Sequence, residues 1–477
     1  MLEKPVTREV GVASPAARMG MAAALVFWCA IGLLPPARLK PLPSSAPLTE
    51  FSAERAMNHV RAIAQRPHPR GSNDILRVRA YIINELSRLG VTPELETGYA
   101  KNPWRPSSER LPVTNVLARL AGVANKRAFM LSAHFDSVAR GPGAADDAAG
   151  VAALLETLRA LRSGGPLRND AIFLFTDGEE DGLLGATVFT QDSAWRDQPS
   201  VDLNFEARGT GGPSLMFETS AGNTWLIRRL ERAVPHANAQ SYSYEVYRHM
   251  PNSTDLTMLK RAGLAGLNFA FIENPLKYHT AQDDVADLDM RSLQEHGNYA
   301  LSLAREFGNE IEFPKTSGNA VYFSTRFTPM LYYPASWSLP IAFCLIAALA
   351  ALAFYSWRIR GTLWLAVFLP LTLVALLQIL IAYIAPSASY LLQWPLAMAL
   401  VAVGAIITKR NGLWRLIVLG LTPSAAGLLL IPLIPTLMVA LGRGARPIVV
   451  IDLLLILACI SPNLKYVLGR SGSPSRN

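Results

Sequence analysis

AFMLSAHFDSVARGPGAADDAAGVAALLETLRAL, residues 128 to 161, carries the reading of the fold. Its opening, Ala128 to Ala133, is a short apolar run of strand length, and from Ala148 to Leu161 apolar residues recur at helical spacing. Between them lies a turn crowded with Gly and Ala. The same alternation extends in both directions. Val116 to Leu120, Ala171 to Thr176, Val201 to Phe205 and Gly266 to Ile272 read as buried strands. Ser52 to Ala64, Asp74 to Leu89, Thr224 to Ala233 and Met290 to Phe307 read as helices. Strands alternating with helices predict an α/β fold with a mostly parallel sheet and helices on both faces. Functional residues are then expected at the carboxyl ends of the strands.

Metal-grade side chains sit at those ends. The strand at Ala128 runs out into His134 and Asp136, whose i, i+2 spacing puts both on one face, where a carboxylate can accept the imidazole N–H not used for a metal. Asp146 and Asp147 stand side by side in the small-residue turn. One of them can cap the helix that follows, but two adjacent carboxylates repel unless cations compensate, and a ligand bridging two metals meets that need. The next strand ends in DGEE, Asp177 to Glu180. Glu179 and Glu180 diverge as sequence neighbours, so one can coordinate a cation while the other reaches a bound water as general base. Glu206 closes the strand at Val201, and His279 follows the strand at Gly266. Each taken alone has a bland reading as a solvated acidic turn or an ordinary polar residue. Together they are the equipment of a two-metal hydrolase. Arg208, Arg248 and His249 are candidate substrate-binding residues.

The chain as a whole is too apolar for an ordinary soluble protein: of 477 residues 51% are hydrophobic and 17% charged, and the mean hydropathy is positive. Residues 1–18 read as a cytoplasmic tail, 19–35 as an uncleaved transmembrane anchor, and 339–461 as an all-α multi-span region ahead of a tail at 462–477. Most of the runs in that region reach the ~20 apolar residues a bilayer requires. Arg358, Arg360, Lys409, Arg410 and Arg415 in the connecting loops predict a cytoplasmic face, so residues 43–310, the polar domain, are expected on the opposite side with 311–338 as a linker. Arg443 and Arg446 break that pattern and leave the last spans open. Cys29, Cys344 and Cys459 all fall in apolar segments, which excludes a disulfide framework or a zinc–thiolate site in the polar domain. The net charge of +9 comes with no nucleic-acid-binding motif, and nucleic acid is not an expected partner. The apolar region holds few ionisable residues besides Asp452, which argues for an anchor rather than a transport path.

The order HFD, PGAADDAAG, DGEE, NFEA and YHTAQDD resembles the M28 family of zinc aminopeptidases and carboxypeptidases. The membrane layout and VYFSTRFTPMLYYP are similar to its membrane-anchored vacuolar and endoplasmic-reticulum branch. The resemblance implies a zinc exopeptidase-like fold and two Zn2+ ions. One ion would be held by His134, Asp146 and Glu206, the other by Glu180, His279 and the shared Asp146. It further implies Glu179 as general base, Asp136 orienting His134, a cis peptide between Asp146 and Asp147, and Tyr278 beside the reacting carbonyl. A peptide substrate and a lipid bilayer are the expected partners, with aminopeptidase action favoured and the domain facing a periplasm, or else a vacuolar or reticulum lumen. A glutaminyl-cyclase-like enzyme with one zinc and a catalytically silent receptor-like homologue are the alternatives. The sequence assigns no oligomeric state.

Overall fold

Strand β3 (Ala128–His134) is buried along its whole length, and its side chains divide between two cores. Phe129, Leu131 and Ala133 enter the larger, Ala128 and Met130 the smaller, as period-two alternation in a sheet covered on both faces requires. The structure is a computed structural model that describes residues 39–340 except 106, 125–126, 249, 314–317, 325–328 and 339.

β3 lies inside an eight-stranded sheet. The other strands are β1 (Pro93–Ala100), β2 (Leu111–Leu120), β4 (Asp170–Thr176), β5 (Pro199–Ala207), β6 (Leu215–Thr219), β7 (Asn238–Ala239) and β8 (Ala265–Phe271), in the order β1-β2-β4-β3-β5-β8-β6-β7. The four central strands β4, β3, β5 and β8 are parallel. Outside them β1 pairs antiparallel with β2, β2 with β4, and β6 with β8, while β6 and β7 are parallel, so the sheet is mixed. The segment from Val116 to Leu120 is thus the end of an antiparallel strand. β1 is an edge strand whose sequence PELETGYA is exposed or half-buried up to the buried Ala100, as an antiparallel strand with a solvated face allows.

Helices α1 (Ala53–Ile63), α2 (Asn73–Arg88), α3 (Ala148–Arg162), α4 (Leu184–Asp192), α5 (Thr224–Ala233), α6 (Ser241–Tyr247), α7 (Asp255–Arg261) and α8 (Met290–Gly308) complete the described domain. α3 packs between α1, α8 and the sheet, while α4 and α7 pack together against the sheet and contribute Phe189, Leu256 and Leu259 to the smaller core. Nearly every residue of α3 is buried, which is why its sequence is Ala- and Leu-rich on all sides rather than amphipathic. Ser52 caps α1, its hydroxyl accepting from the Arg55 backbone N–H, and Asp147 caps α3 by accepting from Gly150 N–H.

Residues 311–338, expected as a linker, contain a hairpin of β9 (Ala320–Phe323) and β10 (Leu331–Pro334). Phe313, Ala320, Tyr322 and Met330 from this stretch are buried in the main core. Apolar residues in VYFSTRFTPMLYYP mark packing against the domain as much as entry to a membrane. Among the described residues no helix is long and apolar enough to cross a membrane. The expected spans at 19–35 and 339–461, and the tails at 1–18 and 462–477, lie outside the described residues but for position 340.

One close approach tests the packing. Gly297 of α8 faces the buried Phe51 ring, where an added Cβ would lie 2.0 Å from Cζ. Gly297→Ala is expected to destabilise the domain by about 1–3 kcal/mol through overpacking, read as a thermal midpoint lower by several degrees. Gly165, which has nothing within 4 Å of its Cβ position, should accept Ala with no such loss. Equal midpoints for both variants would contradict the packing described.

Candidate metal centre

Two parallel strand ends and three loops bring the predicted residues together. His134 ends β3, and its Nε2 lies 3.1 Å from Asp146 Oδ1 and 3.6 Å from Glu206 Oε2. His279 Nε2 lies 3.1 Å from Asp146 Oδ2 and 3.1 Å from Glu180 Oε2. Asp146 therefore stands between the two imidazoles, one carboxylate oxygen toward each. The metal-grade atoms form two clusters, His134 with Asp147 and Glu206, and Asp146 with Glu180 and His279. Asp147 is the surprise in the first. Its Oδ1 accepts from Gly150 N–H at 3.0 Å and its Oδ2 from His134 N–H at 3.3 Å, so both oxygens already serve the backbone. Asp146, closer to His134 Nε2, is the better-placed carboxylate for that cluster too.

The backbone at the shared residue is specialised. The Asp146–Asp147 peptide is cis. Gly143 has φ +63°, a left-handed conformation suited to glycine. A Cβ on Gly141 would lie 2.3 Å from the Thr280 carbonyl oxygen, so glycine there lets the Asp146 turn meet the loop that carries His279. His279 is itself left-handed at φ 58°, uncommon outside glycine and frequent at functional positions.

Asp136 acts differently from expectation in one atom. The nearest partner of His134 Nδ1 is the Asp136 backbone carbonyl at 3.0 Å, with the carboxylate at 3.5 Å. The carboxylate instead accepts the Glu179 N–H at 3.0 Å and the Glu180 N–H at 3.2 Å. One residue thus contacts the His134 ring and both N–H groups of the DGEE turn.

Two supporting residues were missed in the sequence. Asp283, buried in the YHTAQDD stretch, accepts the Ala145 N–H at 2.7 Å and the Asp146 N–H at 3.1 Å. Asn204 donates to Glu206 Oε1 at 3.1 Å and to Asn268 Oδ1 at 3.0 Å, and accepts from Ser132 Oγ at 2.8 Å. Ser132, Asn204, Asn268 and Glu218 are register partners across β3, β5, β8 and β6. The available signal was a polar residue interrupting each apolar strand run.

Electrostatics mark the centre as short of positive charge. Burial, then the nearby Asp146 carboxylate, lifts Glu180 to about 7. The same two causes lift Asp283 to about 7. Burial pushes Glu179 well up, and Glu206 and Glu180 add to it against His134. Burial alone would lower both imidazoles, but Asp136, Asp146 and Glu206 raise His134 well above its ordinary value, and Asp146 and Glu180 raise His279 to about 9. Asp146 goes the other way: burial raises it, yet His134 and His279 together hold it at about 2. Asp146 Oδ2 and His279 Nε2 face each other at 3.1 Å without hydrogen-bond geometry, and Glu180 Oε1 has no hydrogen-bond partner among the described residues. Buried polar atoms without partners are costly. Divalent cations held by this N/O donor set would satisfy them, and imidazole with carboxylate is a donor set suited to zinc.

A largely apolar cavity opens beside Asp146, Glu179 and Glu206. Tyr278 lines it, with its ring stacked on His279 at 3.7 Å between centroids. Burial and the surrounding carboxylates raise the Tyr278 phenol, which stays a donor. Arg208 lines the same cavity. Arg248 is exposed and pairs with Glu245 at 3.3 Å, away from the cluster's carboxylates, and His249 lies outside the described residues.

Residues 115–304 match the family described as Peptidase family M28. Endoplasmic reticulum metallopeptidase 1 of Rattus norvegicus is 31% identical over 310 residues, covering 60% of this chain and 34% of that protein. Vacuolar membrane protease of Candida glabrata is 29% identical over 292 residues, covering 57% and 30%. The chain thus spans about a third of the length of these curated relatives. The aminopeptidase from Aneurinibacillus sp. strain AM-1 superposes with a TM-score of 0.46 at 14% identity, over 57% of this chain and 98% of that one.

If Asp283 fixes the Asp146 turn through its two accepted N–H groups, Asp283→Asn presents an amide donor to one of them. Metal affinity is expected to fall about 10–100-fold, the usual cost of losing such outer support, as measured by competition with a chelator. Unchanged affinity in a folded variant would rule the support out.

Proposed function

We propose that this chain, whose residues 115–304 form a peptidase family M28 domain, is a zinc-dependent hydrolase that uses two zinc ions to cleave peptide bonds at chain ends. The single observation that carries this reading is Asp146 lying 3.1 Å from both His134 Nε2 and His279 Nε2. His134, Asp146 and Glu206 would hold one ion, and Asp146, Glu180 and His279 the other. Bound zinc supplies Lewis acidity to a water and to the scissile carbonyl.

The chain's own groups do the rest. Glu179 is half-buried beside the cluster with its carboxyl pushed well up, which suits a group that takes a proton from water and returns it to the leaving amine. Its backbone N–H donates to the Asp136 carboxylate and its side chain lines the cavity. Tyr278, kept protonated, is placed to donate to the carbonyl oxygen as charge develops there. The apolar cavity wall excludes water from one side and receives a substrate side chain. The apolar segments at 19–35 and 339–461 anchor the domain to a lipid bilayer as a multi-pass protein, with the domain extracytoplasmic. The basic loops of the sequence and the membrane setting in the names of the relatives support that placement.

Glu179→Gln keeps the shape and removes the base. Zinc content should stay at the wild-type level while turnover of unblocked peptides falls about 10²–10⁴-fold; near-wild-type turnover would exclude Glu179 as the base. Asp146→Ala should instead strip both ions on dialysis, measured by elemental analysis. Two ions retained per folded chain would remove the bridge from the account.

A further inference from the structure

The cavity beside the metal centre contains a charge that the steps above do not use. Its walls are mainly apolar, from Leu215, Phe217, Val246, Met250 and Ile272, and among the described residues Arg208 is the one cationic side chain lining it. Arg208 follows the end of β5 two residues after Glu206 and is half-buried. Its backbone N–H donates to the Phe271 carbonyl at 3.0 Å, and its guanidinium stands 5.7 Å from the Tyr278 ring centroid. Among the described residues it makes no ion pair.

That is unusual for this domain. Arg55, Arg70, Arg79, Arg119 and Arg229, likewise half-buried, each have a carboxylate within 3.1 Å, and half-buried Arg305 bonds the Thr49 carbonyl. A guanidinium withdrawn from water and left without an anion is unfavourable, and its planar fork matches a carboxylate in two parallel hydrogen bonds. The Ser243 hydroxyl lines the same cavity, buried and without a hydrogen-bond partner among the described residues. The acidic cluster would repel an anion until its charge is compensated, so an anion here belongs to a ligand that spans both regions.

We propose that Arg208 docks a carboxylate of the substrate, with the adjoining apolar wall taking a neighbouring side chain. This deepens, and rests on, the reading of the site as a peptidase. The carboxylate is either the free carboxyl terminus of a short peptide, placing the scissile bond near that end, or an acidic side chain. Arg208 is a binding residue in this scheme and Glu179 keeps the proton chemistry.

The test uses the zinc-loaded full chain in detergent with three peptides: Leu-Phe, Leu-Phe-amide and Glu-Phe-amide. In the wild type kcat/KM for a carboxylate-bearing peptide should exceed that for Leu-Phe-amide by about tenfold or more, and Arg208→Gln should bring the ratio to within about twofold of unity, mainly through KM. A gain on Leu-Phe names the terminal carboxylate, and a gain on Glu-Phe-amide the acidic side chain. Arg208→Lys, which keeps the charge without the fork, should give an intermediate ratio, and it carries the test if Arg208→Gln does not fold. A wild type that does not discriminate, or a ratio unchanged in the folded variants, overturns the proposal. Should the wild type cleave none of the three, the peptidase reading fails separately. Calorimetric binding of N-acetyl-leucine against N-acetyl-leucinamide then decides on Arg208: preference for the acid, lost in the variant, supports docking, and equal binding overturns it.

Discussion

The structure turns on the sharing of one carboxylate. Asp146 presents an oxygen to each of two imidazoles that come from distant parts of the chain, and Glu180, Glu206 and Glu179 crowd the same space. Burying so many acids together is unfavourable unless positive charge meets them. Two histidines are too few, as the upward displacement of Glu179 and Glu180 shows. The arrangement makes physical sense as a cage for cations, and much of the surrounding structure holds Asp146 in place. Asp283 grips its turn from one loop, Gly141 admits that loop, and Asp147 fastens the turn to α3.

The fold delivers the other groups. Parallel strands end on the same edge of the sheet, so β3, β4, β5 and β8 lead their following residues to one place. A polar row of Ser132, Asn204, Asn268 and Glu218 crosses four strands just behind that edge and fixes Glu206 through Asn204. Glu218 in turn meets Lys260 at 2.8 Å. Rigid, fully bonded support of this kind limits how far a coordinating side chain can drift.

Much of this was legible in the sequence. The central strands are mostly apolar runs because both their faces are covered, α1, α2, α5 and α8 keep a 3.6-residue period, and α3 shows as a long apolar stretch, so their positions could be read directly. His134 and Glu206 stood out as polar residues at the carboxyl ends of apolar runs, and Asp146, Glu179, Glu180 and His279 as metal-grade residues in the loops that follow such runs. Edge strands β1 and β7 and the short inner strand β6 were not legible, nor were α4, α6 and α7, too brief to show a period. The hairpin within residues 311–338 was hidden because its aromatics suit a membrane approach as well as a core. Asp283 and Asn204 were hidden for another reason. Their partners are backbone groups and strand neighbours distant in sequence, and the polar break that Asn204 makes in its strand run does not name them.

Anomalous diffraction at the zinc edge from crystals of the full chain would test the shared carboxylate most directly. Two peaks about 3.5–4 Å apart, one beside His134 and Glu206, the other beside Glu180 and His279, with Asp146 touching both, are expected. A single peak, or two peaks with Asp146 bound to only one of them, would contradict the assignment.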